Sequence, residues 1–154
     1  MEIKRINISE SHLVIDLFDK YRIFYKHPSD IQLAHDFIQA RLDNNESVIS
    51  VAFIQKGKER IPVCFTQLYP GYSSGRAICH WILNDLYVEK EFRHQGIGEA
   101  LIKTALEFAK GTGRKFVELS TAIDNFIAQK LYEKMGFEKQ VPDTEFLTYR
   151  INMN

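Results

Sequence analysis

The 154-residue sequence has only two cysteines, Cys64 and Cys79. Two thiols make no disulfide framework, and both lie in apolar, strand-like surroundings. They are expected to be buried, reduced side chains of a cytoplasmic protein. Charge of one sign is also lacking: 20 Lys and Arg balance 20 Asp and Glu. A general nucleic-acid binder carries a basic excess, so no nucleic-acid partner is expected. No apolar run approaches the roughly 20 residues of a membrane span, so no membrane partner is expected either. The start, Met1 to Ile6, lacks the apolar stretch of a signal peptide. His80 and His94 have no His or Cys neighbours at metal-ligand spacing, so no metal is expected. Repeats, low-complexity segments and linkers are missing as well.

What is present is 45% hydrophobic and 26% charged, the balance of a globular chain long enough for one core. One domain spanning 1–154 is expected. Ile3 to Ile8 alternates as a first strand. Leu13, Val14, Leu17, Phe18, Tyr21, Phe24 and Tyr25 follow helical spacing behind a cap at Ser9 or Ser11, and Pro28 ends that helix. Ser29 and Gln32 read as a capping box for a second helix with the stripe Ala34, Phe37, Ile38 and Leu42. Val48 to Ile54 and Ile61 to Tyr69 form a hairpin around Lys56-Gly57-Lys58. Tyr69 to Gly75 reads as a loop that could wall or cover a site, and Arg76 to Val88 as a long strand with Trp81 in the core.

The second half alternates helix and strand. Ile97, Ala100, Leu101, Thr104, Ala105 and Phe108 line one helix face, and Gly111 and Gly113 end that helix. Lys115 to Ser120 reads as a short strand. Asn125 opens a further helix with Ala128, Leu131, Tyr132 and Met135 on its apolar side. Phe137-Glu138 and Glu145 to Ile151 are expected to supply the last strands. This order predicts an α/β fold: a mixed sheet with helices on both faces.

The most informative segment runs from Asn84-Asp85-Leu86-Tyr87-Val88 into Arg93-His94-Gln95-Gly96-Ile97-Gly98. It reads as a strand, a short loop and two glycines opening an amphipathic helix. Unpaired N–H groups and the helix dipole make such a place an anion site, and glycines let a phosphate approach the backbone. It is not a Walker loop, because no Lys-Ser or Lys-Thr follows the glycines. It is not a dinucleotide fingerprint, because Leu101 stands where the third glycine belongs. Glu118 has the spacing of a ribose-binding acid but falls inside an expected strand. Arg93 to Gly98 does fit Arg/Gln-x-x-Gly-x-Gly/Ala. The plain alternative is a surface turn before a helix.

With its preceding Leu86-Tyr87-Val88 strand, this loop resembles motif A of the GCN5-related N-acetyltransferases, the GNAT superfamily. Asn125-x-x-Ala128-x-x-Leu131-Tyr132-x-x-x-Gly136-Phe137 is similar to a second motif of that family, in the right order and separation. Gln67-Leu68-Tyr69-Pro70 and Trp81 to Asp85 resemble stretches of its bacterial members, so the resemblance covers essentially the whole chain. It implies the GNAT fold, with a mostly antiparallel twisted sheet, and an acetyl-CoA cofactor. It implies acetyl transfer to a primary amine of a small molecule or peptide by direct attack. A non-catalytic acyl-CoA sensor is the alternative. Pairing into a homodimer through the C-terminal strands is common in the family.

The resemblance also assigns roles by position. The N–H groups of His94, Gln95, Gly96, Ile97 and Gly98 would cradle the pyrophosphate, and Arg93 would fix the loop or contact phosphate. The Leu86, Tyr87 and Val88 backbone would pair with the pantetheine arm. Asn125 and Ala128 would flank that arm, and Tyr132 would sit near the sulfur as the proton donor. Tyr21, Phe24 and Tyr25, with Arg22 and His27, lie where the family builds one wall of the acceptor site. Polyamine acetyltransferases place a glutamate at the position of Asn84, which here contacts substrate but cannot act as a base. The proton acceptor is therefore open between Asp85, Glu118 and a water chain. Neighbours on a strand point to opposite faces, so Asp85 could face away from the substrate.

Overall fold

A computed structural model describes residues 1–153. Five strands form one sheet in the order β1-β2-β3-β4-β5: Glu2–Arg5, Val48–Lys56, Glu59–Ser73, Ile78–Val88 and Val117–Glu118. The first four are antiparallel, and β5 is parallel to β4. Helices α1 (Ile15–Phe24) and α2 (Ile31–Asp43) cover one face, and α3 (Ile97–Lys110) and α4 (Phe126–Lys134) the other. Ile49 to Phe53 of β2 are buried without a break, as a strand covered on both faces must be.

Each face has its own core. Val14, Leu17, Phe18 and Ile38 close on Ile49, Val51 and Phe65 on the α1/α2 side. Leu101, Ile102 and Ala105 of α3 close on Cys64, Leu68, Trp81 and Leu83 on the other. Burying a side chain of leucine size stabilises by roughly 1.5–3 kcal/mol. Leu101 is 0% exposed, so truncating it to alanine would cost about 2–5 kcal/mol. The buried stripe of α3 is Ile97, Gly98, Leu101, Ile102, Ala105 and Ala109. It is turned from the expected face, leaving Ala100 and Thr104 at its border.

The helix starts differ from the sequence reading because the side chain that reaches the free N–H groups decides the cap. A 3-10 turn, Ile8–Leu13, precedes α1 and is capped by Asn7 in a capping box with Glu10, where Ser9 or Ser11 was expected. The first strand therefore stops at Arg5. Asp30, not Ser29, caps α2 by accepting the Leu33 N–H at 3.0 Å. Ser29 Oγ instead donates to Asp19 Oδ2 at 2.6 Å, tying the α1–α2 junction together.

The expected loop Tyr69 to Gly75 is mostly strand. β3 continues through Pro70 and Gly71 to Ser73, paired with β4. Beyond the last β2 pair, Val48↔Leu68, one edge of β3 is open, and there the missing proline N–H breaks no ladder. Gly71 lies against His80: a Cβ there would stand 2.3 Å from His80 Nε2. Cys64 is buried, but Cys79 is exposed, against expectation, because it lies toward the start of β4 where cover is thin. Burial pushes the Cys64 thiol up to about 12.

The strand expected over Lys115 to Ser120 shortens to two residues. The strands expected at Phe137-Glu138 and Glu145 to Ile151 do not form among the described residues. A two-residue β5 is too short a template for another strand. Phe146, Leu147, Tyr149 and Ile151 are accordingly exposed.

Candidate active site

β4 meets β5 only at Trp81↔Val117 and Ile82↔Glu118. From Leu83 to Val88 its outer edge has no strand beside it. The Glu89 N–H bonds to Val63 O on the β3 side. Alternation then turns the Leu86 and Val88 backbone groups toward the open edge. An extended ligand can pair there as an added strand would.

At the end of this edge the backbone makes an anion cradle. His94 (φ 62°) and Gly96 (φ 78°) are both left-handed. Alternating hands of this kind aim successive N–H groups inward. Ala100 N–H makes the first bond of the α3 ladder, to Gly96 O at 3.0 Å. The N–H groups of Ile97, Gly98 and Glu99 precede it and face outward at the positive end of the helix. Gly98 carries no Cβ, and one placed there would lie 3.4 Å from Val88 Cγ2, so α3 starts in direct contact with β4. Arg93 Nε donates to Val88 O at 2.9 Å, and its guanidinium lies over the Tyr87 and Phe24 rings. Arg93 thus holds the loop against the strand, and Phe24 packs on it.

On the α1/α2 face a cavity of about 480 Å³ opens beside the same edge. Tyr21 of α1, Tyr25 just past its end, Tyr69 of β3, and Asn84 and Asp85 of β4 line it, and Phe24 does not. A β-bulge decides this. Gln67 pairs with Asp85 but Leu68 pairs with Leu83, so Asn84 is the extra residue. The strand changes phase there. Leu86 and Leu83 both reach the α3 core, while Asp85 faces α1. Asp85 therefore faces this cavity and not the α3 core.

Asp85 is 1% exposed. It accepts from Asn84 Nδ2 at 2.7 Å and from Gln67 Nε2 at 2.5 Å. Burial raises its carboxyl above the ordinary range, and the hydrogen bonds from Asn84, Gln67 and Tyr21 oppose that rise. Tyr21 Oη donates to Asn84 O at 3.3 Å. Burial and then the Asp85 charge push the Tyr21 phenol up, and burial and Asp85 do the same to Tyr69.

Asn125 caps α4 by accepting the Ala128 N–H at 3.2 Å. Tyr132 stands two turns on, edge to face with Phe137. Burial pushes its phenol up to about 12, with Tyr25 adding to the rise. Glu118 lies elsewhere: it lines the cavity beside Tyr132 and faces His80 Nε2 at 3.3 Å. The structure does not bring it to Asn84 and Asp85. His80 is not fully satisfied, because its buried Nδ1 has no partner.

Two contributors escaped the sequence reading. Gln67 is 0% exposed and holds Asp85. Its signal was a lone amide inside the apolar run Val63 to Leu68. Phe37 lines the mouth of the cavity opposite Phe18 and shows only as part of a helix stripe.

The fold and this edge define the class when set beside known proteins. The uncharacterized N-acetyltransferase YhfO of Bacillus subtilis (strain 168) is 40% identical over 153 residues, 99% of this chain and 98% of its own. A solved structure described as "a probable acetyltransferase" is 36% identical and superposes with a TM-score of 0.84 over 100% of this chain and 99% of that one. The aminoglycoside N-acetyltransferase AAC(6')-Iy in complex with CoA shares the fold alone, at 19% identity, with a TM-score of 0.75 over 97% of this chain and 93% of its own. Residues 14–137 match the acetyltransferase (GNAT) family. The chain belongs to that family and is an N-acetyltransferase of the GNAT kind. No helix among the described residues is long and apolar enough to cross a membrane.

Proposed function

We propose that the protein transfers the acetyl group of acetyl-CoA to a primary amine held in the Asp85 cavity. The observation that carries this is the continuity of three features along one strand edge. The His94–Gly98 cradle lies at one end, the open Leu86–Val88 backbone in the middle, and the buried Asp85 carboxyl at the other end. The cradle suits a pyrophosphate, and the open edge suits the amides of a pantetheine arm. Bound there, acetyl-CoA supplies the acetyl group as a thioester, so a C–N bond forms to the amine while the C–S bond breaks.

The chain's own residues then have separate tasks. Asp85 Oδ takes the proton of the incoming ammonium, which must be neutral to attack. Free alkylammonium groups titrate near 10.4, so a carboxylate of raised proton affinity makes this transfer less uphill than an ordinary one. Asn84 cannot take that proton, and Asp85 beside it faces the same cavity. The N–H groups of the open β4 edge face the acyl oxygen as charge grows on it, an effect worth about 2.7–4 kcal/mol where a single such donor has been removed. Tyr132 Oη keeps its proton through neutral pH, delivers it to the departing sulfur, and is restored by the second proton that the nitrogen sheds as the amide forms. A thiol of ordinary pKa, about 8.5, takes that proton only from a donor placed against it.

A thiol-release assay with acetyl-CoA and a panel of amines tests this reading. Saturable, acceptor-dependent release is expected, together with acetyl-CoA binding by calorimetry. Absence of acetyl-CoA binding would overturn it.

A further inference from the structure

The cavity above Asp85 also bears on what kind of amine it takes. Asp85 is a buried carboxyl whose hydrogen-bond partners, Gln67, Asn84 and Tyr21, are all neutral. A carboxylate so placed is costly to keep charged until a cation joins it. It is also the one carboxylate lining the cavity. Asp19 on α1 is spent on Ser29 Oγ, the Asp30 N–H and Arg22. Besides the phenols of Tyr21, Tyr25 and Tyr69, the remaining ionisable side chains in the lining, Arg22 and His27, are basic. A second ammonium group would meet them instead of an anion.

The walls are apolar. Phe18, Tyr21, Tyr25, Leu33, Phe37 and Tyr69 surround the carboxyl. Phe18 stacks on Phe37 with centroids 5.6 Å apart, and Tyr25 meets Tyr21 edge to face at 4.9 Å. Aromatic faces attract a cation and bury a hydrophobic body. They offer few hydrogen bonds to a polyol. The apolar surface continues outward: Leu33 is 49% and Phe37 37% exposed at the mouth.

We infer that the acceptor carries one cationic amine on an apolar or aromatic body, the class of arylalkyl and alkyl monoamines, and is neither a polyamine nor an aminoglycoside. This rests on the acetyl-transfer reading for its chemistry, but the binding of such a cation does not. About 480 Å³ suits a compact molecule of this kind.

The experiment has two arms on the full chain. The first compares kcat/KM for 2-phenylethylamine, spermidine and kanamycin with acetyl-CoA. The second measures by calorimetry the binding of trimethyl(2-phenylethyl)ammonium, which cannot be acetylated, to the protein and to Phe37→Ala. Phe37 is part-exposed, so this variant is expected to fold. The expected result is at least a tenfold preference for 2-phenylethylamine, and quaternary-amine binding that weakens at least threefold in Phe37→Ala while acetyl-CoA binding holds. A preference for spermidine or kanamycin would overturn the acceptor class and leave acetyl transfer standing. Thiol release from no amine, with Phe37-dependent binding of the quaternary amine, would keep the cation cavity and sink acetyl transfer. Failure of the quaternary amine to bind would overturn the inference whatever the assay shows.

Discussion

Gln67 Nε2 donates to Asp85 Oδ2 at 2.5 Å, and Gln67 Oε1 on the same amide has no partner among the described residues. An amide offers a donor on one side and an acceptor on the other. Turned over, it would accept a proton held on Asp85. Gln67 can therefore serve Asp85 both charged and protonated, which is what a group that takes up and releases a proton requires.

Asp85→Asn removes the proton acceptor and keeps the shape. Turnover is expected to fall by about 10²–10⁴-fold, the usual worth of a general base. Acetyl-CoA affinity should stay within about twofold, since Asp85 lies off the cradle. In the parent protein the rate should rise with pH through a value above the ordinary 3.8 of an aspartate, and that limb should vanish in the variant. Stopped-time assays across pH check both points, and an unchanged acid limb would reassign the base.

The same substitution has an opposite effect on stability. The Asp85 carboxyl is raised in the folded state above its ordinary value of 3.8. Below that pH it is neutral in both states and exerts no penalty. As pH climbs, the unfolded chain loses this proton first, so stability is lost until the folded carboxyl has also ionised. Asp85→Asn should then melt higher than the parent near pH 7.5, by about 2–4 °C per kcal/mol recovered, and the gap should close near pH 4. A gap of constant size from pH 4 to 8, measured by thermal unfolding, would show that burial of the charge is not its cause.

Tyr132→Phe should lower kcat by about 10²-fold or more while calorimetry shows acetyl-CoA binding preserved. The ring still packs on Phe137, so the fold is not at risk. Normal turnover would remove Tyr132 from the reaction.

Gly71→Ala should destabilise by about 1–3 kcal/mol, because the new methyl meets the His80 ring at 2.3 Å. Combining it with His80→Ala should restore part of the loss. Denaturant melts of the two single variants and the double variant measure the coupling, and strict additivity would refute the contact.

The anion cradle was legible because its signal is local: two glycines and a basic residue before an apolar helix stripe fix their own geometry. The helix that Asn125 caps and that carries Tyr132 was legible for the same reason. Asp85 was not. Which way it faces depends on the bulge, and the bulge depends on how β3 and β4 pair, which no run of residues within β4 declares. Pro70 and Gly71 misled in the same way. Both punctuate a chain locally, yet one sits on an open strand edge and the other makes room for His80. The C-terminal strands were expected from local sequence, which cannot say whether a partner edge exists.

The bulge at Asn84 leaves the packing of β4 insensitive to this position. Without this residue plain alternation would still turn Trp81, Leu83 and Leu86 toward α3 and Asp85 toward α1. The side chain itself is exposed and belongs to neither core. Neither core therefore constrains the side chain at position 84, whose one hydrogen bond among the described residues runs from Nδ2 to Asp85 Oδ1. The chain has one site at the edge of its acceptor cavity where new substrate preferences can be sampled, by evolution or in a library, at little risk to folding.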